Sequence, residues 1–182
     1  MSGHAFFAVD LTDDERHALS AALADASTGK PIPGRRPPVP NWHITLRFIG
    51  DCSDVDADVV AHEVERNLYA TPGRVFVTGL AAFPRPTRST VLFAAIDDPE
   101  DLLAHLASVC ETAARDVGMD PEERRYTPHL TLSRLRPPMD LRHVIDSFEP
   151  FRVPITVDAV TLFRSSRTRS GITYTPLHTI AL

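Results

Sequence analysis

Two short stretches carry residues that could do chemistry together. Asn41-Trp42-His43-Ile44-Thr45-Leu46-Arg47-Phe48-Ile49-Gly50 and Thr127-Pro128-His129-Leu130-Thr131-Leu132-Ser133-Arg134-Leu135 each contain His, an aliphatic residue, Thr and then Leu. Both alternate polar and apolar residues with the period of a half-buried strand. On such a strand His and Thr share one face, while Ile44 and Leu46, or Leu130 and Leu132, face the other way. Each copy therefore offers an imidazole and a hydroxyl about 7 Å apart. A lone His-x-Thr is most often structural. Two copies, 86 residues apart (43 to 129), can do what one cannot. If both face one cavity, one imidazole takes a proton from a nucleophile while the other gives a proton to a leaving group. The two threonine hydroxyls can hydrogen-bond the non-bridging oxygens of a phosphate.

At these residues the chain resembles the 2H phosphoesterases, and within them the RNA 2',3'-cyclic phosphodiesterase branch, also called 2'-5' RNA ligases. The paired His43-Ile44-Thr45-Leu46 and His129-Leu130-Thr131-Leu132 carry the likeness. Asn41, Phe48-Ile49-Gly50-Asp51, Pro128 and Arg134 agree with it, and it runs from Phe6-Phe7-Ala8-Val9 to Tyr174-Thr175-Pro176-Leu177. The resemblance implies a metal-independent hydrolase with no cofactor, acting on an RNA 3' end that carries a 2',3'-cyclic phosphate. The implied product is a 2'-phosphomonoester, with 2'-5' ligation as a possible reverse activity. The resemblance also makes His43 the proton donor to the leaving 3'-oxygen, His129 the proton acceptor from water, and Arg134 a substrate contact.

Length and composition set the frame for those residues. At 182 residues one compact domain, 1–182, is expected, and 43% hydrophobic content is enough for a core. No run of about 18 apolar residues predicts a membrane span, and the N-terminus has neither the basic nor the long apolar region of a signal peptide. Cys52 and Cys110 make no disulfide framework and read as free thiols in a reducing cytoplasm. A net charge of −5 argues against sequence-independent coating of nucleic acid, though not against one RNA end in a locally basic cleft. Of the 19 cations 18 are arginine, whose guanidinium suits bidentate phosphate contacts. A monomer is expected.

The elements that must position the motifs follow from local signals. His4–Asp10 reads as a strand. Thr12, with Glu15 three residues on, makes a capping box for a helix to about Ala26. The Pro- and Gly-rich stretch 29–40 forbids regular structure; it is either a surface loop or a basic flap that brings Arg35 and Arg36 near the substrate. After the first motif strand, His43–Ile49, Ser53 or Asp54 caps a helix to Tyr69. Strands Arg74–Phe83 and Thr90–Ile96 form a hairpin around Pro84–Arg88. Asp98-Pro99-Glu100 opens a helix that continues to Val117. A loop over Gly118–Arg125 leads into the second motif strand. Asp140–Phe148 is a short helix. Val153–Arg164 and Ile172–Leu182 close the fold as two strands joined by the basic loop 165–171. The irregular mixture of helices and antiparallel strands gives α+β. The resemblance sharpens this to a bilobal fold: two pseudo-symmetric antiparallel sheets with outer helices around a central cleft, one His-x-Thr strand per lobe.

Other polar residues offer less. His17, His62 and His105 fall on helices with polar neighbours, and no histidine sits in a metal-binding motif, so no metal is assigned. Asp51 reads as a turn residue, and Ser133 lacks a Gly-x-Ser-x-Gly context. By alternation Arg47 shares the face of His43 and Thr45, whereas Arg134 points away from His129, in conflict with its matched role. Trp42, Phe83 and Tyr126 are candidates to stack on a terminal base, and core packing explains each equally well. Two other readings stay open. One is a 2H enzyme for a small cyclic nucleotide or nucleotide-sugar cyclic phosphate; the other is an RNA-end-binding protein without turnover.

Overall fold

The computed structural model describes residues 3–169 and 171–182. In chain order the elements are β1 (Gly3–Asp10), α1 (Asp13–Ala26), β2 (His43–Cys52), α2 (Asp54–Asn67), β3 (Gly73–Phe83), β4 (Ser89–Asp97), α3 (Leu102–Asp116), β5 (His129–Met139), α4 (Arg142–Asp146), β6 (Val153–Val157), β7 (Ala159–Thr168) and β8 (Gly171–Ala181). The strands form two four-stranded antiparallel sheets, ordered β2-β1-β7-β8 and β5-β4-β3-β6. Each motif strand is therefore the edge of its own sheet, and the two edges, β2 and β5, lie in contact. This is the expected bilobal α+β arrangement.

Local chemistry sets most of these elements where the sequence put them. Thr12 accepts from the Glu15 amide at 3.2 Å while Glu15 accepts from the Thr12 amide at 2.8 Å, which closes the capping box. Ser53 and Asp56 make a second box that starts α2. Such a cap contributes about 1 kcal/mol. The third helix begins later than expected. Asp98 does not open it but caps it from outside: its carboxylate accepts from the amides of Leu102, Leu103 and Ala104 at 2.9–3.2 Å. Pro99 and Glu100 stay in the turn.

The C-terminal part differs from its sequence reading in one respect that matters. Val153–Arg164 is two strands broken at Asp158. β6 pairs with β3 in one sheet, and β7 pairs with β1 and β8 in the other. Continuous alternation hid a crossing between lobes. The basic segment expected as a loop is mostly ladder, because β7 runs on to Thr168 and β8 begins at Gly171; Ser170, part of that expected loop, lies outside the described residues.

The helices bind the lobes to one another. α1, which follows the first strand of one sheet, packs on β6 of the other. Glu15 also accepts from the Thr156 amide at 2.7 Å. α3, which follows β4, packs on β2 of the opposite sheet. Its buried face, with Leu103, Leu106, Cys110 and Ala114, joins Ile44, Leu46, Leu130, Leu132, Ile155 and Leu162 in one core cluster drawn from both sheets. Each fully buried Leu or Ile contributes about 1.5–3 kcal/mol, so the backbones of both motif strands are held from behind by apolar packing. Both cysteines are buried and unbridged.

Candidate active site

The two motifs are built alike down to their irregularities. His43 donates from Nδ1 to the Asn41 carbonyl at 2.8 Å, and His129 donates from Nδ1 to the Thr127 carbonyl at 2.8 Å. Because a carbonyl can only accept, each neutral ring carries its proton on Nδ1 and leaves Nε2 as the free acceptor. Thr45 Oγ1 lies 3.1 Å from His43 Nε2, where the hydroxyl donates to the ring.

Each motif strand then has an extra residue in its ladder just after the threonine. The β1–β2 register steps from Ala8↔Thr45 to Phe7↔Arg47 and skips Leu46. The β4–β5 register steps from Phe93↔Thr131 to Leu92↔Ser133 and skips Leu132. Such a bulge reverses the alternation beyond it. Two neighbours in a row are consequently buried: Leu46 with Arg47, and Leu132 with Ser133.

The bulges correct two sequence expectations. Arg134 moves onto the face of His129 and Thr131, and lines the cleft beside them. Its charge falls on both imidazoles, so the mismatch between its matched role and simple alternation disappears. Arg47 moves the other way. It is 9% exposed, and its guanidinium binds Glu111 at 2.5 Å together with the carbonyls of Phe48 and Asp120. Glu111 in turn accepts from the Glu122 amide at 3.1 Å. Arg47 therefore ties β2 to α3 and to the segment before the second motif, with every guanidinium nitrogen engaged by the protein, although it also borders the cleft.

Trp42 is corrected as well. At 3% exposure it belongs to the core, so it cannot stack on a base. Tyr126 lines the cleft, but its ring packs against the core and its hydroxyl is buried with no hydrogen-bond partner. The residue that alternation missed is Phe48. It occupies in β2 the place Arg134 occupies in β5, is half exposed and lines the cleft. The bulge that frees Arg134 has a counterpart that frees Phe48, and the matching Leu46 and Leu132 were its only trace in the sequence.

Aromatic rings wall both imidazoles. Phe6 lies 4.8 Å from His43, with Tyr174 edge-on at 5.1 Å. Phe83 and Phe93 stand 5.3 and 5.4 Å from His129. Loss of water around the rings is the main reason both histidines are shifted below the ordinary imidazole pKa of 6.5; the backbone bonds to Asn41 and Thr127 act in the opposite direction. The two sites differ in their cross-strand neighbour. Asp10 faces His43 in the ladder, whereas Ala95 faces His129. Asp10 favours a proton on His43, and no carboxylate does so at His129; Arg134 disfavours a proton on either.

The cleft has a volume of about 1310 Å³, and its walls include Thr45, Phe48, Tyr126, His129, Thr131 and Arg134. His43 stands behind Thr45, under Phe6 and Tyr174, with its Nε2 turned to the hydroxyl of the cleft-lining Thr45. Among the described residues no group of three or more His, Cys, Asp or Glu side chains is placed to hold a metal ion, and no helix is long and apolar enough to cross a membrane.

The chain is similar to known proteins along nearly its whole length. The chain is 30% identical to the RNA 2',3'-cyclic phosphodiesterase of Escherichia coli, over 97% of this chain and 95% of that protein. It is 28% identical to the enzyme of the same name from Methanothermobacter thermautotrophicus, over 100% of both. A solved structure of E. coli LigT complexed with 3'-AMP superposes with a TM-score of 0.78 at 25% identity, covering 100% of this chain and 99% of that one. The family model for the 2'-5' RNA ligase superfamily matches residues 15–169, a span that takes in both motif strands and the whole β5-β4-β3-β6 sheet. On these grounds the chain belongs to the 2'-5' RNA ligase superfamily.

Proposed function

We propose that the protein is an RNA 2',3'-cyclic phosphodiesterase that opens the cyclic phosphate at an RNA 3' end to leave a 2'-phosphomonoester. The observation that carries this reading is the doubled strand edge. It offers two imidazoles with Nδ1 fixed by backbone carbonyls, Thr45 on Nε2 of His43, and Thr131 lining the cleft with His129. The family match and the relatives' names point to the same reaction.

In this mechanism neutral His129 takes a proton from water at Nε2 while the water oxygen attacks phosphorus. The bond from phosphorus to O3' breaks in line, and protonated His43 gives its Nε2 proton to the leaving oxygen. Thr45, Thr131 and Arg134 hold the non-bridging oxygens, where negative charge builds in the transition state. Asp10 gives a reason for the direction. It favours the proton on His43, the imidazole that must start charged, against loss of water and the charges of His129 and Arg134, whereas His129 lacks such a partner.

The cleft, at about 1310 Å³, is larger than the roughly 300–1,000 Å³ of small-molecule sites. That favours an RNA end over a cyclic mononucleotide. We take the chain as one bilobal domain acting as a monomer in the cytoplasm; a core cluster shared by both sheets supports the first of these. Incubation with oligonucleotides and mononucleotides ending in 2',3'-cyclic phosphate, with identification of the products, tests the reading. Conversion of the oligonucleotide to a 2'-phosphate is expected; tight binding without turnover would leave only an end-binding protein.

Two consequences follow at the same site. The profile of kcat/KM against pH should be a bell whose two limbs are set by the two imidazoles, one needed neutral and one protonated. Burial lowers both, so its maximum is expected below pH 6.5, the ordinary imidazole value. Asp10→Asn removes the charge that favours protonated His43. The limb that belongs to His43 should therefore move to lower pH while the other stays; a profile with neither limb moved would contradict the role of Asp10. Activity should also survive excess EDTA, because the imidazoles already supply acid and base. Loss with EDTA and recovery with Mg²⁺, Mn²⁺ or Zn²⁺ would contradict the mechanism.

A further inference from the structure

The proline-rich segment between α1 and β2 is not a free loop. Pro33-Gly34-Arg35 lies along the outer edge of β5, at the residues that follow the second motif. The Arg35 amide donates to the Arg134 carbonyl at 2.9 Å, and the Arg134 amide donates to the Arg35 carbonyl at 3.0 Å. Ser133 Oγ donates to the Pro33 carbonyl. Gly34 makes the approach possible. Its φ is +88°, and a Cβ there would stand 2.5 Å from Ser133 Oγ and 2.7 Å from the Arg134 carbonyl oxygen.

The reciprocal pair of bonds makes Arg35 and Arg134 directly opposed partners in an antiparallel ladder. Such partners have Cα atoms about 5.5 Å apart and send their side chains to the same face. For Arg134 that face is the one with His129 and Thr131. Arg35 is exposed. Among the described residues neither guanidinium has a carboxylate partner or a side-chain hydrogen bond. Two like charges directly opposed are destabilising, and the local structure offers nothing to relieve them. An anion at this edge would do so, and an RNA chain brings one: the phosphodiester that precedes its terminal cyclic phosphate.

We propose that Arg35 binds the phosphodiester on the 5' side of the terminal nucleotide, and so makes the site prefer an RNA chain to a cyclic mononucleotide. This rests on the function proposed above. The two arginines divide the work: Arg134 meets the reacting phosphate and Arg35 the next one along the strand. The guanidinium fork suits two oxygens of one phosphate.

The test compares wild type, Arg35→Ala and Arg35→Lys on an oligonucleotide ending in 2',3'-cyclic phosphate and on a 2',3'-cyclic mononucleotide, over a range of salt. Arg35→Ala keeps the amide and carbonyl that make the bridge. Its kcat/KM should fall about 10-fold or more on the oligonucleotide and stay at the wild-type value on the mononucleotide. Its salt dependence on the oligonucleotide should become shallower by about 0.7 in the slope of log kcat/KM against log salt, the value for one phosphate contact on a single strand. Arg35→Lys should recover part of the rate and most of the slope. An equal loss on both substrates would mean that Arg35 acts only through the position of Arg134, and would overturn the proposal. So would an unchanged rate on the oligonucleotide, with the functional reading left intact. A wild-type protein that turns over neither substrate would remove that reading and this proposal with it.

Discussion

His129→Ala and His43→Ala should each lower kcat by about 10²–10⁴-fold, the usual worth of a positioned general base or acid. Both rings lie at strand edges on a packed core, so the loss is expected in variants that still fold; unchanged far-ultraviolet circular dichroism would check this. If the pair acts as one unit, the double variant should lose less than the product of the two single losses. A fully multiplicative loss would mean two independent contributions rather than one concerted proton transfer across phosphorus. The two substitutions also differ in their environment. His43 is bonded to Thr45 and flanked by Phe6, Tyr174 and Asp10, so its removal disturbs more of the site than removal of His129.

Thr131→Val should cost about 2–4 kcal/mol of transition-state stabilisation, by analogy with loss of one oxyanion-hole donor. That is about 30- to 1,000-fold in kcat/KM. Valine keeps the shape of threonine and removes only the donor, and Thr131 lines the cleft beside His129. Thr45→Val should cost at least as much, because Thr45 also holds Nε2 of His43 at 3.1 Å. Wild-type kcat/KM in either folded variant would refute the role of that hydroxyl. The effect should fall on kcat more than on KM, since the charge that the hydroxyls stabilise is greatest in the transition state.

The site was legible in the sequence as far as simple alternation reaches. His43 and Thr45, and His129 and Thr131, lie two positions apart and precede the bulge after the threonine in each strand, so period two places them correctly. Arg47, Phe48 and Arg134 follow the bulge, where the same rule gives the wrong face. The likeness of Arg134 to a substrate contact already required a break in parity in β5. Since Leu46 and Leu132 hold matching places, the same break in β2 would have sent Arg47 inward and Phe48 outward. Trp42 fails for another reason: nothing local distinguishes an indole that stacks on a base from one that fills a core.

The fold was legible wherever caps and turns are local. Thr12 with Glu15, and Ser53, mark helix starts that the structure keeps. It was not legible at Asp158, where the strand that alternation reads as continuous leaves one sheet for the other. Nor could Arg35 be placed, because its partner Arg134 lies 99 residues away (35 to 134), and only the folded chain brings the two edges together.

The direction of proton transfer is the central claim, and one comparison tests it most directly. A cyclic phosphate whose 3'-oxygen is replaced by sulfur has a leaving group that needs little protonation. His43→Ala should turn over this substrate at close to the wild-type rate, while His129→Ala, which lacks the base, should remain slow. Rescue of His129→Ala alone would exchange the roles of the two histidines, and rescue of neither would contradict acid–base catalysis by this pair.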